Sequence, residues 1–460
     1  MQSEHQPLSG PQRQRGFGRT NYAHARRAFL QYGLPWGMAL LVGLAAVLYA
    51  RWSDDPYRLF LAAIAGRPWL AFIITPAATV ASVLLTRRWF RGSEGSGIPQ
   101  VIAALHAPRD ASLMGRLFGL RVVAGKLVGS LLGLLGGLTI GREGPTVHIG
   151  AALMAEIRRF YPHGRMHLER PLLLAGAAAG LSAAFNTPLA GVLFAIEELA
   201  RDFESRTNGT MITAVVFSGL TSLALAGNYL YFGQITVPQQ FGLGFIVPVV
   251  SCALLTALAG AAFNLALLHP QRWIPARLWV WRDQRPVHWA LLIGLLVAAL
   301  GVFTGGATWG SGYDQARHLL DGSAPLSPVY ALTKWMALVV SYMAGIPGGL
   351  FSPSLSIGAG LAQWAHAVFT SAPLPALIAL CMTGYLAAVT QSPLTSFVIV
   401  MEMTNGTNMV LPMMATSLLA ARLAGLATPP LYEALAHRNY FPKPQVGAPA
   451  GDTAAPPGSR

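Results

Sequence analysis

Residues 141–145 read Gly-Arg-Glu-Gly-Pro, with Glu143 set between a Leu/Gly-rich run (Leu127 to Ile140) and a stretch from Thr146 that reads as a helix. Gly141 and Gly144 expose backbone N–H groups, and Pro145 suits a first helical turn. The unpaired N–H groups and the dipole at a helix N-terminus attract anions. A carboxylate there occupies the place a mobile anion would take. Glu143 can therefore compete with a bound anion, and protonation would release it. A helix cap, or a pair with Arg142, accounts for Glu143 as well. An ionisable group lying between membrane-buried runs is, however, functional by default.

Two further segments share this chemistry. Gly348-Gly349-Leu350-Phe351-Ser352-Pro353 has the glycines and Pro353 but no acid, so it can offer N–H groups without a gate; a tight helix–helix contact explains it equally. Gly95-Ser96-Gly97-Ile98-Pro99 adds a hydroxyl. Ser96 can donate to an anion, and a plain N-cap serine fits the same five residues. Glu197 and Glu198 close an apolar run, Pro188 to Ile196, shortly before Arg201 and Asp202. They can relay protons, face headgroups or pair with an arginine. Lys126 lies inside an apolar stretch, where it can lend positive potential, snorkel or be structurally paired. His148 reads as packed. There is no H-E-x-x-H, no G-x-x-x-x-G-K-[ST], no G-x-S-x-G and no C-x-x-C, so neither a metal site nor an enzyme signature is present.

Such sites require helices that start inside a bilayer, and the rest of the chain supplies them. The 460 residues are 53% hydrophobic and 11% charged, against about a quarter charged in soluble domains. Leu34 to Ala50, Trp69 to Leu85, Phe245 to Leu268, Trp289 to Phe303 and Tyr330 to Ala344 are nearly charge-free. In lipid, such runs must be helical to pair their backbones; the alternating polarity of a barrel is absent. The 49 Gly and 32 Pro serve close packing, kinks or broken helices along a pathway. Net charge is +14, but the basic residues flank apolar runs instead of forming a nucleic-acid patch. Arg13, Arg15, Arg19, Arg26 and Arg27 precede the first span, and Arg87, Arg88 and Arg91 follow the second. The positive-inside rule then predicts a cytoplasmic N-terminus. Cys252 and Cys381 read as small buried hydrophobes.

The organisation expected is a basic segment over residues 1–28, one transmembrane domain over 29–440, and a Pro/Ala/Gly-rich tail over 441–460. The domain repeats itself. Gly95-Ser96-Gly97 with Gln100 recurs at Gly310-Ser311-Gly312 with Gln315, an offset of 215. Gly141, Pro145, Ile149 and Gly150 recur at Gly349, Pro353, Ile357 and Gly358, an offset of 208. Leu181, Asn186, Pro188 and Glu197 align with Leu386, Gln391, Pro393 and Glu402, an offset of 205. Three matches in order predict related halves, about 34–230 and 240–437, with substrate near their interface. By this relation Glu402 reads as structural.

The three glycine segments, in this order and spacing, resemble the selectivity signatures of the CLC family of chloride channels and chloride/proton antiporters, and Tyr432 resembles the family's late tyrosine. The resemblance spans residues 34 to 437. It implies an all-α integral membrane fold of tilted and broken helices in two inverted-topology repeats, and a homodimer with one pathway per subunit. It implies that Ser96, Tyr432 and the N–H groups of Leu350 and Phe351 bind chloride, that Glu143 is the gate, that Glu198 transfers protons internally with Glu197 beside it, and that Lys126 and Arg142 support the site. Chloride and protons are then the substrates, with no cofactor. An acid at Glu198 favours exchange over a passive channel, and Ser96 favours chloride over nitrate. Tyr432 and the intact motifs argue against the fluoride-specific branch. Only 28 residues follow Tyr432, too few for the paired regulatory domains of animal relatives, so a bacterial inner-membrane protein is expected. Leu350 and Ser352 depart from the commoner isoleucine and alanine. A gated channel and, remotely, a membrane-embedded enzyme are the competing readings.

Overall fold

The computed structural model describes residues 29–441 except 107–110, 161–168, 201–207, 228, 236, 238–241 and 324–325. The N-terminal arginines, Arg201, Asp202 and the tail from 442 on lie outside the described residues. The first half holds α1 (Leu34–Ile64), α2 (Ala71–Arg88), α3 (Ile98–His106), α4 (Ala111–Phe118), α5 (Leu120–Leu135), α6 (Glu143–Ala155), α7 (Glu169–Phe185), α8 (Pro188–Phe194) and α9 (Asn208–Ala226). The second holds α10 (Ile246–Leu268), α11 (Ala276–Gln284), α12 (Pro286–Phe303), α13 (Tyr313–Leu320), α14 (Tyr330–Met343), α15 (Phe351–Val368), α16 (Leu374–Thr390), α17 (Pro393–Thr404), α18 (Val410–Gly425) and α19 (Leu431–Tyr440). Among the described residues no strand forms, only two isolated bridges.

The element starts repeat at the offsets read from sequence: α3 and α13, α6 and α15, α7 and α16, and α8 and α17 are counterparts. The predicted apolar runs are helices, with one difference. α1 continues past Ala50 through Arg51, Asp54, Asp55 and Arg58 to Ile64. Charges end a lipid-facing run, but this extension lines a wet cavity, where charge is tolerated. The helix predicted from Thr146 begins three residues earlier, at Glu143.

Among the described residues, five helical stretches are long and apolar enough to cross a bilayer. Their outward faces carry exposed apolar side chains, such as Leu254, Leu258 and Leu296. An apolar surface of this extent belongs in lipid, so the chain is an integral membrane protein. The shorter α6, α7, α15 and α16 form the buried centre. Glycine lets these neighbours touch: a Cβ on Gly358 of α15 would sit 2.6 Å from the Cys381 carbonyl oxygen of α16. Cys252 and Cys381 are both buried free thiols.

Candidate functional site

The three glycine segments, far apart in sequence, are stitched together at the centre. Gly141 and Gly349, counterparts at the 208 offset, exchange both backbone hydrogen bonds, at 2.8 and 2.7 Å. Gly95 N–H donates to the Ile346 carbonyl at 3.1 Å, and Gly348 N–H to the Gly95 carbonyl at 3.2 Å. Gly95 (φ +64°) and Gly97 (φ +102°) lie in left-handed backbone, which L side chains avoid. Four helices therefore begin near one point: α3, α6, α15 and α19, each leaving its leading N–H groups without intrahelical acceptors.

Glu143 is the first residue of α6 and fully buried. Its Oε1 accepts from Ser352 Oγ at 2.5 Å and lies 3.4 Å from the Tyr231 hydroxyl. Its Oε2 is buried without a protein hydrogen-bond partner and sits over Gly141, where a Cβ would overlap it. Arg142 turns away. Its Nη1 donates to Asp54 Oδ1 at 2.8 Å, the Ala50 carbonyl at 2.9 Å and Ser53 Oγ at 3.2 Å, so pairing with Glu143 is not its role. Sequence reasoning missed Asp54 and Tyr231. Tyr231 belongs to the linker between the halves, where no motif marks it.

Ser96 Oγ is buried, directly against Gly144, whose added Cβ would overlap it. The buried Tyr432 faces Ser96 and stacks on Phe351, with centroids 5.9 Å apart and planes 10° apart. Leu350 and Phe351 are the N-cap and first residue of α15, both buried. The Ser96 and Tyr432 hydroxyls and the helix N-termini face one spot, a seat whose chemistry suits an anion.

Glu198 sits in a π-helical turn, Ala195–Ala200, that extends α8. It is buried, and its Oε2 accepts from Ser392 Oγ. Phe194, one turn earlier, meets Phe351 edge-on at 6.0 Å, and Phe185 lies 6.2 Å from the same ring. Phe185, Phe194 and Phe351 therefore form one aromatic cluster.

Glu197 points elsewhere. Its two oxygens accept from the N–H groups of Leu394 (3.0 Å) and Thr395 (2.6 Å), at the start of α17. Glu402 does the same for Leu189 (3.2 Å) and Ala190 (2.8 Å), at the start of α8. Each half caps the other's helix with a counterpart acid. Lys126 shows the same logic: its ammonium donates to the carbonyls of Gly95 (2.7 Å) and Glu94 (3.2 Å). Its 208-offset counterpart, Lys334, donates to Thr308 (2.9 Å), Trp309 (3.3 Å) and Gly310 (2.9 Å). Both lysines are fully buried and hold the glycine-serine loops in shape. Lys334 escaped sequence reasoning, although the repeat offset points to it. His148 is packed, edge-on to Phe118 at 5.0 Å, with Nε2 2.8 Å from the Leu117 carbonyl oxygen.

Two cavities approach the seat. One, of about 440 Å³, is lined by Arg51, Asp54, Arg142, Tyr231 and Ser311, with Glu143 at its floor. The other, of about 180 Å³, is lined by Glu94, Ser96, Tyr342, Arg282 and Arg438. The first adjoins the C-terminal half of α1, and the second lies beyond the end of α2, which runs back across. Counterpart loops, 95–97 and 310–312, thus line different cavities.

The family profile described as voltage gated chloride channel matches residues 77–425. The chain is 30% identical over 426 residues to a protein of Cronobacter sakazakii named H(+)/Cl(-) exchange transporter ClcA, covering 87% of each. It is 31% identical over 424 residues to the protein of that name from Klebsiella pneumoniae, covering 87% of this chain and 86% of the other. Among solved structures, a slow cyanobacterial Cl−/H+ antiporter superposes with TM-score 0.77 at 22% identity, covering 89% of this chain and 97% of that one. A CLC-type fluoride/proton antiporter superposes with TM-score 0.74 at 19% identity, covering 87% and 96%.

Proposed function

The chain belongs to the voltage-gated chloride channel family, and we propose that it exchanges chloride for protons across a membrane, with the Glu143 seat shared by both ions. It is a transporter and not an enzyme. The observation that carries this reading is the buried carboxylate of Glu143 between two mouths, held where the N-termini of counterpart helices α6 and α15 meet. A fixed anion and a mobile one cannot both fill a narrow site of positive potential.

Ionised Glu143 occupies the seat and blocks chloride. A proton arriving through the 440 Å³ mouth neutralises it, removes its attraction to the helix ends and lets chloride take its place. Chloride is held by the Ser96 and Tyr432 hydroxyls and by the N–H groups of Leu350 and Phe351. Below the seat the two routes part. Chloride continues past Ser96 toward the mouth lined by Arg282 and Arg438, and protons continue through Glu198. Glu197 is outside the proton route because both its oxygens cap α17. No cofactor takes part.

The basic ends of α2, Arg87 and Arg88, lie near the Ser96 mouth and support a cytoplasmic assignment for that side, with the N-terminus on it, in a bacterial inner membrane. The protein works as a homodimer with one pathway per subunit.

The test uses purified protein in liposomes loaded with chloride and diluted into low chloride, with chloride and external pH recorded together. Chloride efflux should drive protons inward against their gradient. Glu143→Gln and Glu198→Gln should each abolish proton movement while chloride still flows. Chloride efflux without proton movement in the unaltered protein would make it a channel and leave Glu198 a structural role.

A further inference from the structure

The Glu143 carboxylate is not held by its helix alone. Its Oε1 accepts from Ser352 Oγ at 2.5 Å, and Tyr231 places its hydroxyl 3.4 Å from the same oxygen and 3.3 Å from Ser352 Oγ. All three groups are buried. They come from three parts of the chain: Glu143 from the first half, Ser352 from the second, and Tyr231 from the linker joining them. The Tyr231 ring is fixed by edge-on contacts with Phe185 (5.4 Å), Phe232 (5.0 Å) and Tyr313 (4.8 Å), so its hydroxyl is aimed at the pair.

We propose that Ser352 and Tyr231 form a latch that holds the ionised gate in its seat and thereby sets how strongly Glu143 competes with chloride. This rests on Glu143 being the gate. Other polar groups nearby are committed elsewhere. Arg142 is engaged by Asp54, Ala50 and Ser53. The Tyr49 hydroxyl donates to Ser130 at 2.7 Å, the Tyr432 hydroxyl faces Ser96, and Tyr229 lines the cavity. Ser352 and Tyr231 are therefore the hydroxyls available to Glu143 Oε1. A hydroxyl bonded to a carboxylate stabilises the ionised form more than the acid, because the charge strengthens the bond. A proton transferred from water in the outer cavity to the unpartnered Oε2 of Glu143 removes the charge that strengthens the Ser352 bond to Oε1. The bond falls to that of a neutral acceptor, and the latch loosens.

Because gate and chloride compete for one seat, weakening the latch should tighten apparent chloride binding. Calorimetric titration of the purified full chain with chloride provides the test. Ser352→Ala should lower the apparent Kd for chloride about tenfold, a difference of about 1.4 kcal/mol. Tyr231→Phe should lower it about two- to threefold, its contact being longer, and Ser352→Thr should restore the parent value. In a Glu143→Gln background, Ser352→Ala should change nothing, since there is no charged gate to hold. Weaker chloride binding in both backgrounds would overturn the latch and make Ser352 a chloride ligand. No change in either background would overturn it too. If Glu143→Gln alone alters neither chloride affinity nor proton coupling, the gate assignment itself fails, whatever Ser352 does.

Discussion

Glu197 and Glu198 are adjacent acids at the end of one apolar run, yet the structure gives them different work, and substitution should separate them. Glu197 accepts two backbone N–H bonds at the start of α17, and Glu402 accepts two at the start of α8. An N-cap interaction contributes about 0.5–2 kcal/mol, and a bond to a charged acceptor contributes about twice a neutral one. Both acids are half-buried, so solvent screening reduces that gain. Removing either carboxylate should therefore cost about 2 kcal/mol. For domains of 150–250 residues each kcal/mol moves Tm by roughly 2–4 °C, and by less in larger proteins, so a drop of about 2–5 °C is expected. Glu197→Ala and Glu402→Ala should lower Tm by similar amounts, measured by thermal unfolding in detergent. Both should keep the proton-to-chloride ratio of the parent in liposomes. Glu198→Gln should show the reverse pattern, with a small change in Tm and no proton movement. A Glu197→Ala protein of unchanged stability but lost coupling would refute the capping argument and return Glu197 to the proton route.

Two more predictions concern the seat itself. Lys126→Met and Lys334→Met should each lower thermal stability by about 3 kcal/mol or more, because each leaves buried carbonyls without a donor; parent-like unfolding of either would show that the loops hold their shape without an ammonium. Gly349→Ala would place a Cβ 2.9 Å from the Gly144 nitrogen and 3.1 Å from the Gly141 oxygen. Both contacts are backbone, so the crossing must open, at about 1–3 kcal/mol. Chloride efflux from liposomes should fall at least tenfold, and undiminished flux would show that the crossing does not shape the seat.

What the sequence determined is what short segments and periodicity can carry. Apolar runs fixed the membrane helices, because unpaired backbone is excluded from lipid. Glycine and proline around Glu143, Ser96 and Leu350 marked helices starting in the interior, and the offsets of 215, 208 and 205 residues marked the two halves. The starts of α3 and α15 fall within those motifs, and α6 starts at Glu143, three residues before the Thr146 expected. The sequence also carried a signal that was not followed: the 208-residue offset takes Lys126 to Lys334.

Tertiary structure decided which polar atoms meet. Ser352 reaches Glu143 across 209 residues, and Arg142 reaches Asp54 across 88. Nothing local distinguishes Glu197 from Glu198, since their bodies differ by one step around a helical turn. That one step around the π-helical turn points one carboxylate at the backbone of α17 and the other at Ser392. In a low-dielectric interior each buried charge must find partners or be neutralised. Those partners are supplied by whichever chain segments the fold brings alongside, which is why the halves are legible in sequence and the latch and reciprocal caps are not.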